Sequence, residues 1–136
     1  MGVGVDRHDR VRPLRGDLLD PPTYRTVLAN ADVVLHLAAT TGRASAADHA
    51  RVNVEGTVNL LEAARRNGVK KIILASSSSV YGVNAKVPFS ESDPIFSAIS
   101  PYAASKLACE ALGHVYHHVY GFDIAVLRLF TVYGPR

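Results

Sequence analysis

The sequence predicts an α/β fold built on a doubly wound parallel sheet. Three observations carry this. Residues 32–39, 70–76 (around Ile72-Ile73-Leu74) and 124–130 are continuous apolar runs, not alternating ones. Such runs suit strands buried on both faces, as in a parallel sheet. Helical patterns fill the stretches between them, and strands that alternate with helices need crossover connections.

The elements follow in order. Residues 2–5 form a short strand candidate ending at Asp6, and 11–14 form another just before Gly16-Asp17-Leu18-Leu19-Asp20. Pro21 and Pro22 break the chain, and 23–29 can form a short helix. The strand at 32–39 leads to a helix over 47–67. There Val54, Val58 and Leu61 recur at helical spacing, and Gly68 supplies a stop. After the strand at 70–76, the polar, proline-containing residues 82–100 read as an active-site loop. Ser100 is placed as an N-cap, with Pro101 at the first helical position. The helix over 101–120 carries Ala108, Ala111, Leu112, Val115 and Val119 on one face, and Gly121 ends it. The last strand is 124–130.

The 136 residues suit one domain. Hydrophobic content of 48% against 20% charged residues favours a packed core over disorder. Arg7, Arg10, Arg12 and Arg15 make the start of the chain basic. That reads as a solvated loop or as attraction to an anionic cofactor or substrate. No basic face is interleaved with aromatics, so nucleic acid is not an expected partner. The sequence shows no signal peptide or membrane-spanning apolar run, and neither a membrane partner nor a disulfide is expected. The single cysteine, Cys109, falls in a helical pattern beside Ala108 and Ala111 and reads as a small packing residue. A reducing cytoplasm is the expected compartment. His117 and His118 are adjacent and point apart, and no carboxylate motif accompanies them or His114, so no metal is expected. His36 lies mid-strand and reads as a satisfied buried imidazole.

Chemistry concentrates at two places. Ser76, Ser77, Ser78 and Ser79 end a predicted strand, while Tyr102 and Lys106 lie four apart on a predicted helix and so share a face. An ammonium beside a phenol favours the phenolate, which suits Tyr102 to act as a general base.

The ordered set Gly16-Asp17-Leu18, His36-Leu37-Ala38-Ala39, Asn53-Val54-Glu55-Gly56-Thr57, the serine run with Val80-Tyr81-Gly82, Tyr102-Ala103-Ala104-Ser105-Lys106 and Arg128-Leu129-Phe130-Thr131-Val132-Tyr133-Gly134-Pro135-Arg136 spans nearly the whole chain. Together these motifs resemble the extended short-chain dehydrogenase/reductases, in the NAD-dependent epimerase/dehydratase branch that acts on nucleotide sugars. The resemblance implies a Rossmann-like fold, NAD as cofactor and a UDP-sugar as substrate. It implies catalytic roles for Ser77, Tyr102 and Lys106, with Lys106 also bonding the nicotinamide ribose. It implies cofactor contacts by Asp6 (the adenosine ribose), Asp17 and Leu18 (adenine), by Leu37, Ala38, Ala39 and Thr40 beneath the cofactor, and by Asn53, Ser76 and Phe130. A homodimer through helices 47–67 and 101–120 is implied as well.

The same resemblance marks what the sequence lacks. The family's glycine turn stands about 20 residues ahead of the ribose-binding acid, whereas five residues precede Asp6. The C-terminal substrate region of the family is also missing. Residues 1–136 are therefore expected to be a partial NAD-binding domain without the first strand, with strand edges left unpaired and weak NAD binding in isolation. The resemblance implies a nucleotide-sugar 4-epimerase: Tyr102 takes the hydroxyl proton while hydride leaves for NAD and later returns to the opposite face. Ser78 and Ser79 stand where 4,6-dehydratases of the family carry Asp-Glu, which disfavours dehydration. Thr131 resembles the UDP-glucuronate 4-epimerases more than the UDP-glucose enzymes. The alternatives are a sugar-nucleotide reductase or decarboxylase on the same scaffold, and an inactive fragment or interaction module.

Overall fold

The computed structural model describes residues 11–134. Three strands, β1 (Val33–His36), β2 (Lys71–Ala75) and β3 (Asp123–Leu127), form one parallel sheet in the order β1-β2-β3. The register sets Leu35 beside Ile73 and Ile73 beside Ala125. A 3₁₀ turn (Pro21–Thr23) and a short helix α1 (Arg25–Leu28) precede β1. One helical run links β1 to β2: α2 (Ala46–Asp48), a π turn (His49–Glu55) and α3 (Gly56–Arg66). Helix α4 (Pro101–Tyr120) links β2 to β3. The predicted parallel α/β architecture is observed.

The core lies between one sheet face and these two helical layers. Leu60, Leu61 and Ala64 of α3 meet Ile72 and Leu74 of β2, together with Tyr116 and Phe122. Leu61 and Ile72 are fully buried, which stabilises the fold by about 2 kcal/mol for each side chain. Successive strand residues point to opposite faces, so Ile72 and Leu74 meet helices while Ile73 points away. Among the described residues the other face is uncovered. Val33 is 52% exposed and Leu35 56%, although their runs read as buried on both sides.

Local signals explain the helix ends. The Ser45 hydroxyl accepts from the Asp48 amide at 3.1 Å, and the Asp48 carboxylate accepts from the Ser45 amide at 3.3 Å, a reciprocal cap. The Ser100 hydroxyl accepts from the Ala103 amide at 3.0 Å, with Pro101 at the first helical position as expected. Gly121 closes α4 at φ 65°, a left-handed value that suits glycine.

Several expected boundaries move, each for a visible reason. Residues 11–14 form no strand: Pro13 has no amide to donate, and the segment runs exposed. Thr23 lies in the 3₁₀ turn rather than in a helix over 23–29. Its hydroxyl donates to the Asp20 carbonyl at 2.6 Å and accepts from the Asp17 amide at 3.0 Å, so α1 begins only at Arg25. β1 stops at His36 because the chain turns away to Thr40, and β3 stops at Leu127, where Arg128 turns to an acidic partner. The buried face of α4 also differs. It is Ala103, Lys106, Cys109, Gly113 and Tyr116, while Val115 and Val119 are exposed. A Cβ on Gly113 would stand 3.1 Å from the Leu74 side chain, so the helix sits close to the sheet through its small residues. The candidate strand at 2–5 and Asp6 lie outside the described residues.

Candidate active site

Parallel strands bring their carboxyl ends to one edge of the sheet, where ligands of open α/β folds bind. Here that edge gathers 37–41 after β1, the serine run after β2 and 128–132 after β3. A cavity of about 400 Å³ opens among them, lined by Ser77, Tyr102 and Lys106 together with Leu37, Ala39 and Phe130. A second cavity, of about 760 Å³, is lined by Asp17, Leu18, Ala38, Ala39 and Thr40. Ala39 lines both, so the two are neighbours along one edge. The small side chains of Ala38 and Ala39 leave the backbone there open to an extended ligand.

Lys106 is only 5% exposed. Its Nζ donates to the Ala75 carbonyl at 2.8 Å and stands 5.8 Å from the centre of the Tyr102 ring. Burial holds its ammonium below the ordinary lysine value. Ser77 caps the 3₁₀ turn Ser78–Tyr81. Its oxygen accepts from the Ser79 amide at 3.2 Å and from the Ser79 hydroxyl at 2.9 Å. Both acceptor positions are thereby used, and the Ser77 proton stays available to a ligand. An alcohol, a phenol and an ammonium thus face one cavity, an arrangement able to polarise and deprotonate a bound hydroxyl.

Asn53 does not line the cavity. It is 1% exposed, within the π turn. Its Oδ1 accepts from the Thr40 amide at 2.7 Å, and its Nδ2 donates to the Thr40 carbonyl at 3.0 Å and to the Ser105 hydroxyl at 2.9 Å. The Ser105 hydroxyl donates in turn to the Tyr102 carbonyl at 2.7 Å. Asn53 therefore ties the loop after β1 to the first turn of α4, next to Lys106. A π turn at such a place is a common mark of functional helices.

His36 is buried as expected, with Nε2 3.0 Å from the Thr57 hydroxyl. That hydroxyl donates to the Asn53 carbonyl, so His36 supplies the proton of the shared bond. Burial first, and the nearby Lys106 charge second, push the imidazole down to about 4. An unfolded chain takes up this proton near pH 6.5. His36 therefore favours the folded state fully above about pH 6.5, and that contribution is lost as pH falls toward about 4. The loss amounts to about 3 kcal/mol at most. Urea midpoints between pH 7 and 4 are expected to fall in the wild type and to fall less in His36→Gln. Equal slopes would show that His36 is not the group responsible.

Ser76 lines the cavity, but its hydroxyl donates to Glu110 at 2.5 Å. Glu110 also receives Arg128, through Nε at 3.1 Å and Nη2 at 3.0 Å. The sequence reading did not single out this pair. The available signals were an arginine inside an apolar strand end and a glutamate one turn beyond Lys106. The Asp17 carboxylate caps a turn by accepting from the Leu19 amide at 2.9 Å. Phe130 lies in an aromatic group with Phe89, at 6.1 Å, and Tyr81. His114 and His118 stack at 6.3 Å, and His117 Nδ1 lies 2.9 Å from the Phe122 carbonyl. Cys109 is buried with its thiol toward the Asn53 carbonyl, and burial pushes that thiol up.

Comparison with known proteins decides the family. The model of the NAD dependent epimerase/dehydratase family matches residues 2–136. The chain belongs to this family. It is 47% identical over 106 residues to a UDP-glucuronate 4-epimerase from Thermodesulfobacterium geofontis, covering 75% of the chain and 32% of that relative. It is 45% identical to UDP-glucuronate 4-epimerase 5 of Arabidopsis thaliana, covering 97% of the chain and 32% of the relative. The UDP-glucuronic acid 4-epimerase of Bacillus cereus, solved in complex with NAD, matches with a TM-score of 0.79 at 40% identity over 90% of the chain and 39% of that structure. A dTDP-glucose 4,6-dehydratase of Streptomyces venezuelae, with NAD bound, matches at 0.88 and 34% identity over 96% and 41%. The chain spans about a third of the length of these curated relatives, and its sheet is the Rossmann-type sheet of the family's solved structures.

Proposed function

We propose that the chain is the proton-transfer and cofactor-holding part of an NAD-dependent UDP-sugar 4-epimerase, with UDP-glucuronate as the substrate. The observation that carries this is the single cavity faced by Ser77, Tyr102 and Lys106. Its similarity to UDP-glucuronate 4-epimerases supports the choice of sugar nucleotide.

The described residues fit NAD by their chemistry. Ala38, Ala39 and Thr40 offer an open backbone, Asp17 and Leu18 lie beside them for the adenine, and Lys106 holds a proton donor at the other end of the edge for a ribose hydroxyl. Asn53 holds Thr40 in place from beneath. When bound, NAD supplies a hydride acceptor that also returns the hydride. Tyr102 takes the proton of the substrate hydroxyl. Ser77 donates to the same oxygen and holds it toward Tyr102. Lys106 places its charge 5.8 Å from the centre of the Tyr102 ring, on the side of the cavity where the proton is transferred. Ser79 is committed to Ser77, and neither Ser78 nor Ser79 can act as the carboxylic acid a dehydration needs.

The test is incubation of the whole protein with UDP-glucuronate and NAD. A product of unchanged mass with inverted C4 is expected. A loss of carbon dioxide, or a gain of two hydrogens, would replace this reading by decarboxylation or reduction.

We propose a homodimer as well, and the outer face of α4 supports it. Ala104, Ala111, Val115 and Val119 form an apolar stripe turned away from the sheet, and a second copy can cover it by helix packing. Val115→Glu is expected to turn a dimer into a monomer in sedimentation. A wild-type protein that sediments as a monomer would end this idea. The single buried Cys109 suits a reducing compartment such as the cytoplasm. Among the described residues no helix is long and apolar enough to cross a membrane.

A further inference from the structure

We infer that Glu110 and Arg128 act together as a positioning unit, which sets the Ser77 hydroxyl against Tyr102 and Lys106. The inference rests on the proposed role of Ser77. Both side chains are largely buried, Arg128 at 18% and Glu110 at 12% exposure. Each reaches the serine segment, from opposite ends. Glu110 accepts the Ser76 hydroxyl, directly before Ser77. Arg128 Nη1 donates to the Tyr81 hydroxyl at 3.4 Å and to the Glu91 carbonyl at 3.1 Å. Tyr81 closes the 3₁₀ turn that starts at Ser78, and the Arg128 guanidinium lies 5.1 Å over its ring.

The backbone around Arg128 completes the grip. The carbonyl of Leu127 accepts from the Ser76 amide at 2.8 Å, and that of Leu129 accepts from the Ser78 amide at 2.9 Å. Ser77 is thus the residue between two backbone anchors, and the Arg128–Glu110 fork fixes the side chains on both sides of it. Glu110 also stands one helical turn beyond Lys106, which bonds the Ala75 carbonyl. Helix α4 therefore holds the end of β2 at two successive residues, Ala75 and Ser76, while presenting Tyr102 and Lys106 to the same cavity. The pair transmits the position of α4 to Ser77.

Charge itself is a poor reason for such a pair. Two apolar side chains of similar volume usually replace a buried ion pair without loss of stability, whereas removing one partner leaves an uncompensated charge. What an apolar pair cannot supply is direction. A guanidinium fork on a carboxylate fixes distance and orientation together.

This distinction gives the test. In the whole protein, Glu110→Gln and Arg128→Met are each expected to lower both the melting temperature and turnover. The double variant Glu110→Met/Arg128→Met is expected to recover the melting temperature to near wild type and to keep kcat about 100-fold down, since misplacement by an ångström costs about that much. KM for UDP-glucuronate and affinity for NAD are expected to stay within about threefold, because neither side chain lines the two cavities along the strand ends. Amide exchange at Ser76 and Ser78 is expected to quicken about tenfold in the double variant, with Ile72 and Leu74 unchanged. Recovery of kcat along with the melting temperature would overturn the proposal, and so would unchanged exchange at Ser76 and Ser78. A wild-type protein without turnover on any UDP-sugar removes the functional reading instead, and the exchange result still decides whether the pair holds the segment.

Discussion

Tyr102→Phe is expected to lower epimerisation of UDP-glucuronate by about 10²- to 10⁴-fold, the usual worth of a positioned general base, while NAD affinity stays within a few-fold of wild type. The substitution is a narrow one. The ring of Tyr102 packs edge-on against buried His49, with centroids 5.8 Å apart and planes at 61°, and phenylalanine keeps that contact. The Tyr102 carbonyl keeps its bond from Ser105, and Lys106 keeps its bond to Ala75. Only the phenolic oxygen leaves the cavity. A drop in turnover with unaltered cofactor affinity therefore isolates the proton-transfer role. Turnover by the variant at wild-type rate would show that another group takes the proton, and the assignment of the site would fall with it. Product ratios by chromatography and NAD titration by calorimetry read the two quantities separately.

What the sequence made legible is what local physics decides. The three apolar runs became the three strands, and Ser100, Pro101 and Gly121 bounded α4 as capping rules require, because a cap is satisfied by residues within one turn. The Tyr102–Lys106 spacing put both side chains at one cavity, because i and i+4 share a helix face. The losses are non-local. Hydrophobicity put Val115 and Val119 on one face of α4, yet the buried face carries Lys106, which bonds a strand carbonyl, Ser105, which bonds Asn53, and Gly113, which lets the Leu74 side chain come close. Burial of Lys106 depends on a carbonyl 31 residues away, and the Arg128–Glu110 bond spans 18. No window of sequence contains both ends of these contacts. Strand ends shifted for the same reason: Thr40 is drawn off the sheet by Asn53 and Arg128 by Glu110. Asn53 looks like an ordinary helix-surface amide in sequence. Its burial depends on Thr40 and Ser105, partners that only the folded chain brings to it.

Asn53→Leu is expected to destabilise the fold by about 4 kcal/mol and to weaken NAD binding at the same time. The two side chains share a branched skeleton and leucine is the larger, so no cavity explains the cost. Two other effects do. Leucine cannot accept from the Thr40 amide, a bond of 2.7 Å, nor donate to the Thr40 carbonyl and the Ser105 hydroxyl. Leaving a buried donor or acceptor without a partner costs about 2 kcal/mol. A branched apolar group in a pocket shaped by three hydrogen bonds adds about 2 kcal/mol of misfit. Ser105 still donates to the Tyr102 carbonyl, so α4 keeps its first turn and the loss falls on the loop from Leu37 to Thr41. That loop lines both cavities, so its release reaches the cofactor edge directly. Urea unfolding measures the first effect and NAD titration the second, below the unfolding transition. A variant that loses stability while binding NAD with wild-type affinity would show that Asn53 serves the core alone.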